Sequence, residues 1–309
     1  MPELPEVETI ARGLAARVAG DVIESVWLGS KPEPLKSPAA EIAANLESRR
    51  ITGVRRVGKH IVFDLEPNGV ARTLLAAKKP EATVHAGGKR RARPRTREGD
   101  GLADKSARRT QSQAQWIVHL GMTGSMVVCQ PESAVVKHTH AILRLASGRE
   151  LRFVDPRRFG RLSVAQGFET QGVEPLEIEL QRFIGLFRSR KTPIKSALLN
   201  QKLLRGVGNI YADESLFRAG VRPRRRAASL TWEDLRKLYA SVQEVLKEAI
   251  ALGGSSVSDY VDADGEEGFF QLQHRVYGRE GEPCLVCRTP IKRVVIAGRS
   301  AHYCPKCQK

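Results

Sequence analysis

The last 26 residues hold four of the chain's five cysteines, as Cys284-x2-Cys287 and Cys304-x2-Cys307, with 16 residues between the pairs. Few features narrow a fold as far. A C-x-x-C turn sets two thiolates on one side of the chain. A gap of about 15–20 residues lets the chain return as a hairpin and complete a tetrahedral shell. Four thiolates leave no open position, so one Zn2+ held here is structural and activates no water. Two disulfides or a redox pair are the alternatives, disfavoured in a cytoplasmic chain with no βαβ pattern nearby. Cys129 stands apart and reads as a buried thiol without a role.

Upstream, hydrophobic periodicity changes along the chain. Leu4, Val7, Ile10, Leu14 and Val18 recur at spacings of three and four, an amphipathic helix. Pro5 suits its first turn, the early glutamates suit the positive end of its dipole, and Gly20 suits its end. Strand-like runs follow at 23–28, 51–57, 60–65, 116–120, 125–128, 141–145, 150–154 and 161–164. Gly, Pro, Asn or Ser punctuates several gaps, as in an antiparallel sandwich or barrel. A Gly-, Glu- and Gln-rich break at 166–175 precedes helical patterns at 180–187, 194–204, 210–219 and 232–251. The expectation is an α+β chain in three parts: 1–165, 176–268 and 274–309.

Charge indicates the partner's class. Lys+Arg number 51 against 34 Asp+Glu, a formal +17. Such a surface favours a polyanion, because bound cations displace its counterions. With 41% hydrophobic residues, global disorder is excluded. No apolar run approaches the roughly 20 residues that span a bilayer. Glu3, Glu6 and Glu8 replace any apolar leader segment, so a cytoplasmic protein without membrane attachment is expected. Residues 70–115 hold 12 Lys/Arg and 4 Asp/Glu, a net +8, leaving +9 for the remainder. They read as a mobile basic insertion at a hairpin tip, with a short helix near 71–78. It either grips a polyanion or merely aids solubility.

The N-terminus is the sharpest chemical feature. Loss of Met1 leaves Pro2 with a free secondary amine, and an α-amino group with a pKa near ~7.7–8 is partly neutral at physiological pH. Such an amine attacking a sugar C1′ gives an iminium ion, an electron sink for later elimination. Glu3 beside it is a candidate acid/base.

This start is followed by a series of further motifs. Pro2-Glu3-Leu4-Pro5-Glu6-Val7-Glu8-Thr9 is succeeded by Lys59, His119-Leu120-Gly121-Met122 and Asp155-Pro156-Arg157-Arg158-Phe159-Gly160. Gly206-Val207-Gly208-Asn209-Ile210-Tyr211-Ala212, Val276-Tyr277-Gly278-Arg279 and the four cysteines complete the order. Together they resemble the formamidopyrimidine-DNA glycosylase family over essentially the whole chain except 70–115. The opening looks like the oxidised-purine branch rather than the endonuclease VIII branch.

The resemblance implies an N-terminal antiparallel β-sandwich with a catalytic N-terminal helix, a helix-two-turn-helix DNA-binding domain and a zinc ribbon. It implies base-excision repair by a bifunctional glycosylase and abasic-site lyase. Oxidised purines (8-oxoguanine, formamidopyrimidines) would be removed through a Schiff base and β,δ-elimination. The partner would be double-stranded DNA with oxidised bases or abasic sites, bound by a monomer in the cleft between the two halves. Pro2 would be the nucleophile, Glu3 the acid/base, Glu6 its support and Lys59 a phosphate contact that assists elimination. His119 and Asn209 would hold phosphates, and Arg299 would grip the backbone. Met122, Arg157 and Phe159 would fill the space left by the extruded base. The glycine turn at 206–208 would let backbone approach phosphate, and the helix after it would offer its free N–H groups. The stretch 253–273 matches the loop over the extruded base. Lys191 and Lys195 lie near lesion-side contacts without an assigned role. The alternatives are an enzyme for oxidised pyrimidines and a non-catalytic binder of damaged DNA or RNA.

Overall fold

The computed structural model describes residues 2–68, 114–255 and 268–309. Helix α1 (Leu4–Val18) begins directly behind Pro2 and Glu3. Its apolar stripe serves two cores. Leu4 packs among the helices of the C-terminal half, whereas Val7, Ile10, Ala11, Leu14 and Val18 pack among the strands. Full burial of each larger aliphatic side chain contributes about 1.5–3 kcal/mol. The N-terminus is thereby held at the seam between the halves.

The strands are β1 (Ile23–Leu28), β2 (Arg49–Val57), β3 (His60–Pro67), β4 (Ala114–His119), β5 (Ser125–Cys129), β6 (Thr139–Leu145), β7 (Glu150–Val154) and β8 (Arg161–Ala165). They form two four-stranded antiparallel sheets, in the orders β1-β6-β7-β5 and β2-β3-β4-β8. Phe63 and Trp116 from one sheet share a core with Leu143 and Phe153 from the other. Each expected strand run overlaps an observed strand whose ends lie within two residues of it. A helix that periodicity did not reveal, α2 (Ala39–Leu46), follows a proline-rich stretch and commits only Ile42 and Leu46 to the core. Two apolar positions are too few to show a period. Cys129 is half-buried rather than buried, because β5 lies at a sheet edge.

Leu65 on β3 pairs with Ala114 on β4, so the two strands that flank the basic segment lie side by side. Ala114 and Gln115 belong to the strand and not to the insertion. The rest of that segment, with its expected short helix, lies outside the described residues. The other end of the hairpin pairs His60 with His119.

The C-terminal half contains α3 (Leu180–Phe187), α4 (Ile194–Leu198), α5 (Asn209–Arg218) and α6 (Trp232–Ala251). The helix expected over 194–204 ends at Leu198. Beyond it Asn200 Oδ1 accepts the Lys202 N–H at 3.0 Å, and Gln201 Oε1 accepts the Gly206 N–H at 2.8 Å. Such side-chain acceptors draw backbone donors out of a helix. A reciprocal Thr231–Asp234 capping box starts α6.

The last element is a hairpin of β9 (Lys292–Ile296) and β10 (Arg299–Tyr303). Its turn residues Ala297 and Gly298 have φ of +47° and +77°, the two-residue geometry that matches strand twist. The buried Glu214 carboxylate on α5 accepts the N–H groups of Arg275, Val276 and Tyr277 at 2.8–3.0 Å. This seats the start of the ribbon on the helical core. Among the described residues, no helix is long and apolar enough to cross a membrane.

Candidate active site

Pro2 is buried, and Glu3 is only 4% exposed. The Glu3 carboxyl rests on Gly208, where an added Cβ would fall 2.0 Å from Glu3 Cδ. No other residue type leaves that space. The Leu4 N–H donates to the Gly206 carbonyl at 3.0 Å, and the Ile210 N–H donates to Glu3 Oε1 at 3.3 Å. The N-terminus of α5 thus receives an anion as expected, and that anion is the Glu3 carboxylate. Glu3 Oε2 is buried without a hydrogen-bond partner.

Burial pushes the Glu3 pKa up to about 7; Lys59 pulls it down and Glu6 pushes it further up. Glu6 braces the arrangement. Its carboxylate accepts the Glu3 and Ser255 N–H groups, each at 2.8 Å, and the Tyr211 hydroxyl. Lys59 occupies the two-residue turn between β2 and β3. Burial lowers its pKa, against the attraction of Glu3 and Glu6. Pro2, the Glu3 carboxyl and the Lys59 side chain are therefore held where burial tunes proton transfer.

A groove of about 690 Å³ opens over this cluster. The sandwich contributes Glu3, Lys59, His119 and Met122; the helical half contributes Asn209, and the ribbon Arg299. His119 Nδ1 accepts the Gly121 N–H at 3.1 Å, which leaves Nε2 as the protonated nitrogen of the neutral ring. Burial, then His60, Arg161 and Lys59, push its pKa down to about 4, so it enters the groove as an uncharged donor.

Met122, Arg157 and Phe159 come from two loops clamped together. Gly121 has φ +67°, and a Cβ there would sit 2.5 Å from the Phe159 carbonyl carbon. Buried Asp155 accepts the Thr123 hydroxyl and the Gly160 N–H, each at 2.7 Å. With their bases fixed, the tips stand in solvent: Met122 is 40% and Phe159 52% exposed. The Arg157 guanidinium lies 5.1 Å from the Phe159 ring centroid.

Asn209 begins α5 and donates from Nδ2 to Ser300 Oγ at 3.3 Å. Exposed Arg299 follows the ribbon turn. Behind it, Cys284, Cys287, Cys304 and Cys307 bring their sulfurs within 4.8 Å of one another, and all four are free thiols. This donor set fits one tetrahedral zinc ion, with the first pair preceding the hairpin in the chain and the second pair following it.

Two residues placed near the lesion by sequence part company. Lys191 is exposed. Lys195 is fully buried, paired with Asp213 at 2.5 Å and donating to the Ser300 carbonyl at 2.5 Å. It ties α4 to the ribbon and is closed off from any partner in solvent. Sequence reasoning also passed over Asp155, Glu214 and Tyr211. Asp155 and Tyr211 lie inside quoted motifs, whereas Glu214 carries no signal, since its role depends on a segment 61 to 63 residues away. The loop at 253–273 is described only at 253–255 and 268–273.

Comparison with known proteins agrees with this geometry. Residues 1–162 match the formamidopyrimidine-DNA glycosylase N-terminal domain, 172–261 its H2TH domain, and 281–309 the zinc finger found in FPG and IleRS. The formamidopyrimidine-DNA glycosylase of Solibacter usitatus is 41% identical over 100% of both chains. The crystal structure of the Thermus thermophilus protein superposes with a TM-score of 0.76 at 38% identity, covering 99% of this chain and 98% of that one. A Lactococcus lactis relative in complex with abasic-site DNA superposes at 0.78 with 28% identity, covering 99% of each chain. The chain belongs to the formamidopyrimidine-DNA glycosylase family.

Proposed function

We propose that the protein is a bifunctional glycosylase and abasic-site lyase acting on oxidised purines in duplex DNA. The observation that carries this is that Glu3 and half-buried Lys59 line one groove shared by all three parts of the chain, with buried Pro2 directly before Glu3. The Pro2 nitrogen attacks C1′, the C1′–N bond breaks, and the base leaves with the bonding pair and takes up the proton that the Pro2 nitrogen sheds. Glu3, with a pKa near 7, delivers a proton to the ring oxygen as the sugar opens, giving an iminium on the Pro2 nitrogen. Loss of a C2′ proton then expels the 3′ phosphate, and a second elimination expels the 5′ phosphate. Lys59 assists these eliminations. His119 and Asn209 hold the backbone, Met122, Arg157 and Phe159 occupy the vacated stack, and Arg299 grips phosphate. The zinc ion fixes the hairpin that presents Arg299 and performs no chemistry.

Borohydride trapping on 8-oxoguanine duplex tests the mechanism. Wild type should give a covalent complex, whereas Pro2→Gly should give none and Glu3→Gln little. No complex from wild type would sink the Schiff-base reading. A second substrate class has its own support, since a Lactococcus lactis relative has been solved with DNA containing an oxidised pyrimidine. Parallel excision from 8-oxoguanine:C and thymine glycol:A duplexes decides between them, with preference for the purine expected.

A further inference from the structure

Four charged side chains meet where the two halves join, outside the residues that line the groove. Arg56, near the end of β2, is almost fully buried. It donates to Glu174 at 2.6 and 3.1 Å, to Glu8 on α1 at 2.7 Å, and to the Gly58 carbonyl at 3.2 Å. Arg205, three residues before Gly208, donates to the same Glu174 carboxylate at 3.2 Å, and its aliphatic stem packs over Gly58. Glu174 is itself strapped to the helical half. Val173 donates to the Leu203 carbonyl and accepts from the Arg205 N–H, both at 3.0 Å.

A fifth side chain, exposed Arg12, also pairs with Glu8 at 2.7 Å, but the buried Arg56 guanidinium is fully engaged by Glu8, Glu174 and Gly58 and offers no free charge to a polyanion. A buried ion pair also adds little net stability over an apolar pair of the same shape. What bidentate guanidinium–carboxylate contacts fix is geometry. The geometry fixed here is the Gly58-Lys59 turn, held by Arg56 through the Gly58 carbonyl and covered by the Arg205 stem. We infer that Glu174 is a positioning residue that bolts the sandwich to the helical half and so holds Lys59 against Glu3. The inference rests on the function proposed above, in which Lys59 works beside Pro2 and Glu3.

The test compares single-turnover excision by wild type, Glu174→Gln, Lys59→Gln and the double variant. In parallel, the titration of ¹³C-dimethylated Lys59 is followed by NMR in wild type and Glu174→Gln. Glu174→Gln should slow excision about tenfold or more, because a displacement of about 1 Å is costly to chemistry. In the Lys59→Gln background the same change should cost less than about twofold, since the route through Lys59 is already gone. The Lys59 titration should move up toward the ordinary lysine range. Equal losses in both backgrounds, or an unmoved Lys59 titration, overturn the inference. Should Glu174→Gln fail to fold, Arg205→Gln removes the longer arginine contact and is carried through the same comparison. If wild type excises nothing, the proposed function fails, and the Lys59 titration still decides the positioning role.

Discussion

The floor of the groove and its rim solve opposite problems. On the floor, Glu3 is nearly inaccessible, one of its oxygens is unpartnered, and its backbone surroundings leave room only for glycine at 208. On the rim, Met122, Arg157 and Phe159 project into solvent from loops whose bases are locked by Asp155 and Gly121. Chemistry needs shifted proton affinities, and these require burial. Filling a gap in a base stack needs apolar and planar groups left exposed until DNA arrives. The same chain therefore gives up stability on the floor through desolvation and on the rim through exposed hydrophobic surface.

The largest effect should follow from changing the floor. Glu3→Gln should lower single-turnover excision by about 10²–10⁴-fold, the range for a positioned acid/base. It also separates pH effects from activity. The folded-state pKa near 7 lies above the ordinary 4.5, so the protonated acid favours folding fully below pH 4.5. That contribution is lost as pH rises through about 7. Urea denaturation should show Glu3→Gln gaining on wild type by up to about 3 kcal/mol between pH 4 and pH 8. A constant difference across that range would show that Glu3 titrates normally.

Next in size is Gly208→Ala, which forces Glu3 or the turn to move. Excision should fall about a hundredfold while the ribbon and its zinc content are retained. Unchanged activity would show that the close approach is relaxed in solution. On the rim, Phe159→Ala should cost about tenfold in binding to lesion duplex, the worth of one stacking contact. Its pH–rate profile should superimpose on that of wild type. A shifted profile would mean that floor and rim are not separate devices. The smallest effect should come from deleting residues 71–112. Excision should be unchanged, whereas the salt dependence of DNA binding should flatten if the +8 segment meets phosphate. An identical slope assigns that charge to solubility.

The sequence revealed the elements with strong local causes. The α1 stripe, the eight strand runs, and the cysteine spacing each depend on neighbours a few residues apart, and each is found in place. Helix α2 was missed because two buried apolar positions make no period, and the helix from Ile194 was overextended because Asn200 and Gln201 redirect the backbone. Lys195 was left without a role for a different reason. An exposed and a buried lysine look alike in one dimension, and Asp213 lies 18 residues away.

By itself, then, the sequence determined which groups are available: a proline that follows Met1, a carboxyl beside it, four thiols at zinc spacing, and an ordered set of motifs. Only the tertiary structure decided their state. The Glu3 proton is held near neutrality because α1 is divided between two cores, which sinks its first residues into the seam. Burial and pKa arise from contacts between segments hundreds of residues apart, such as Glu3 with Ile210 and Glu6 with Ser255. No local pattern records such contacts.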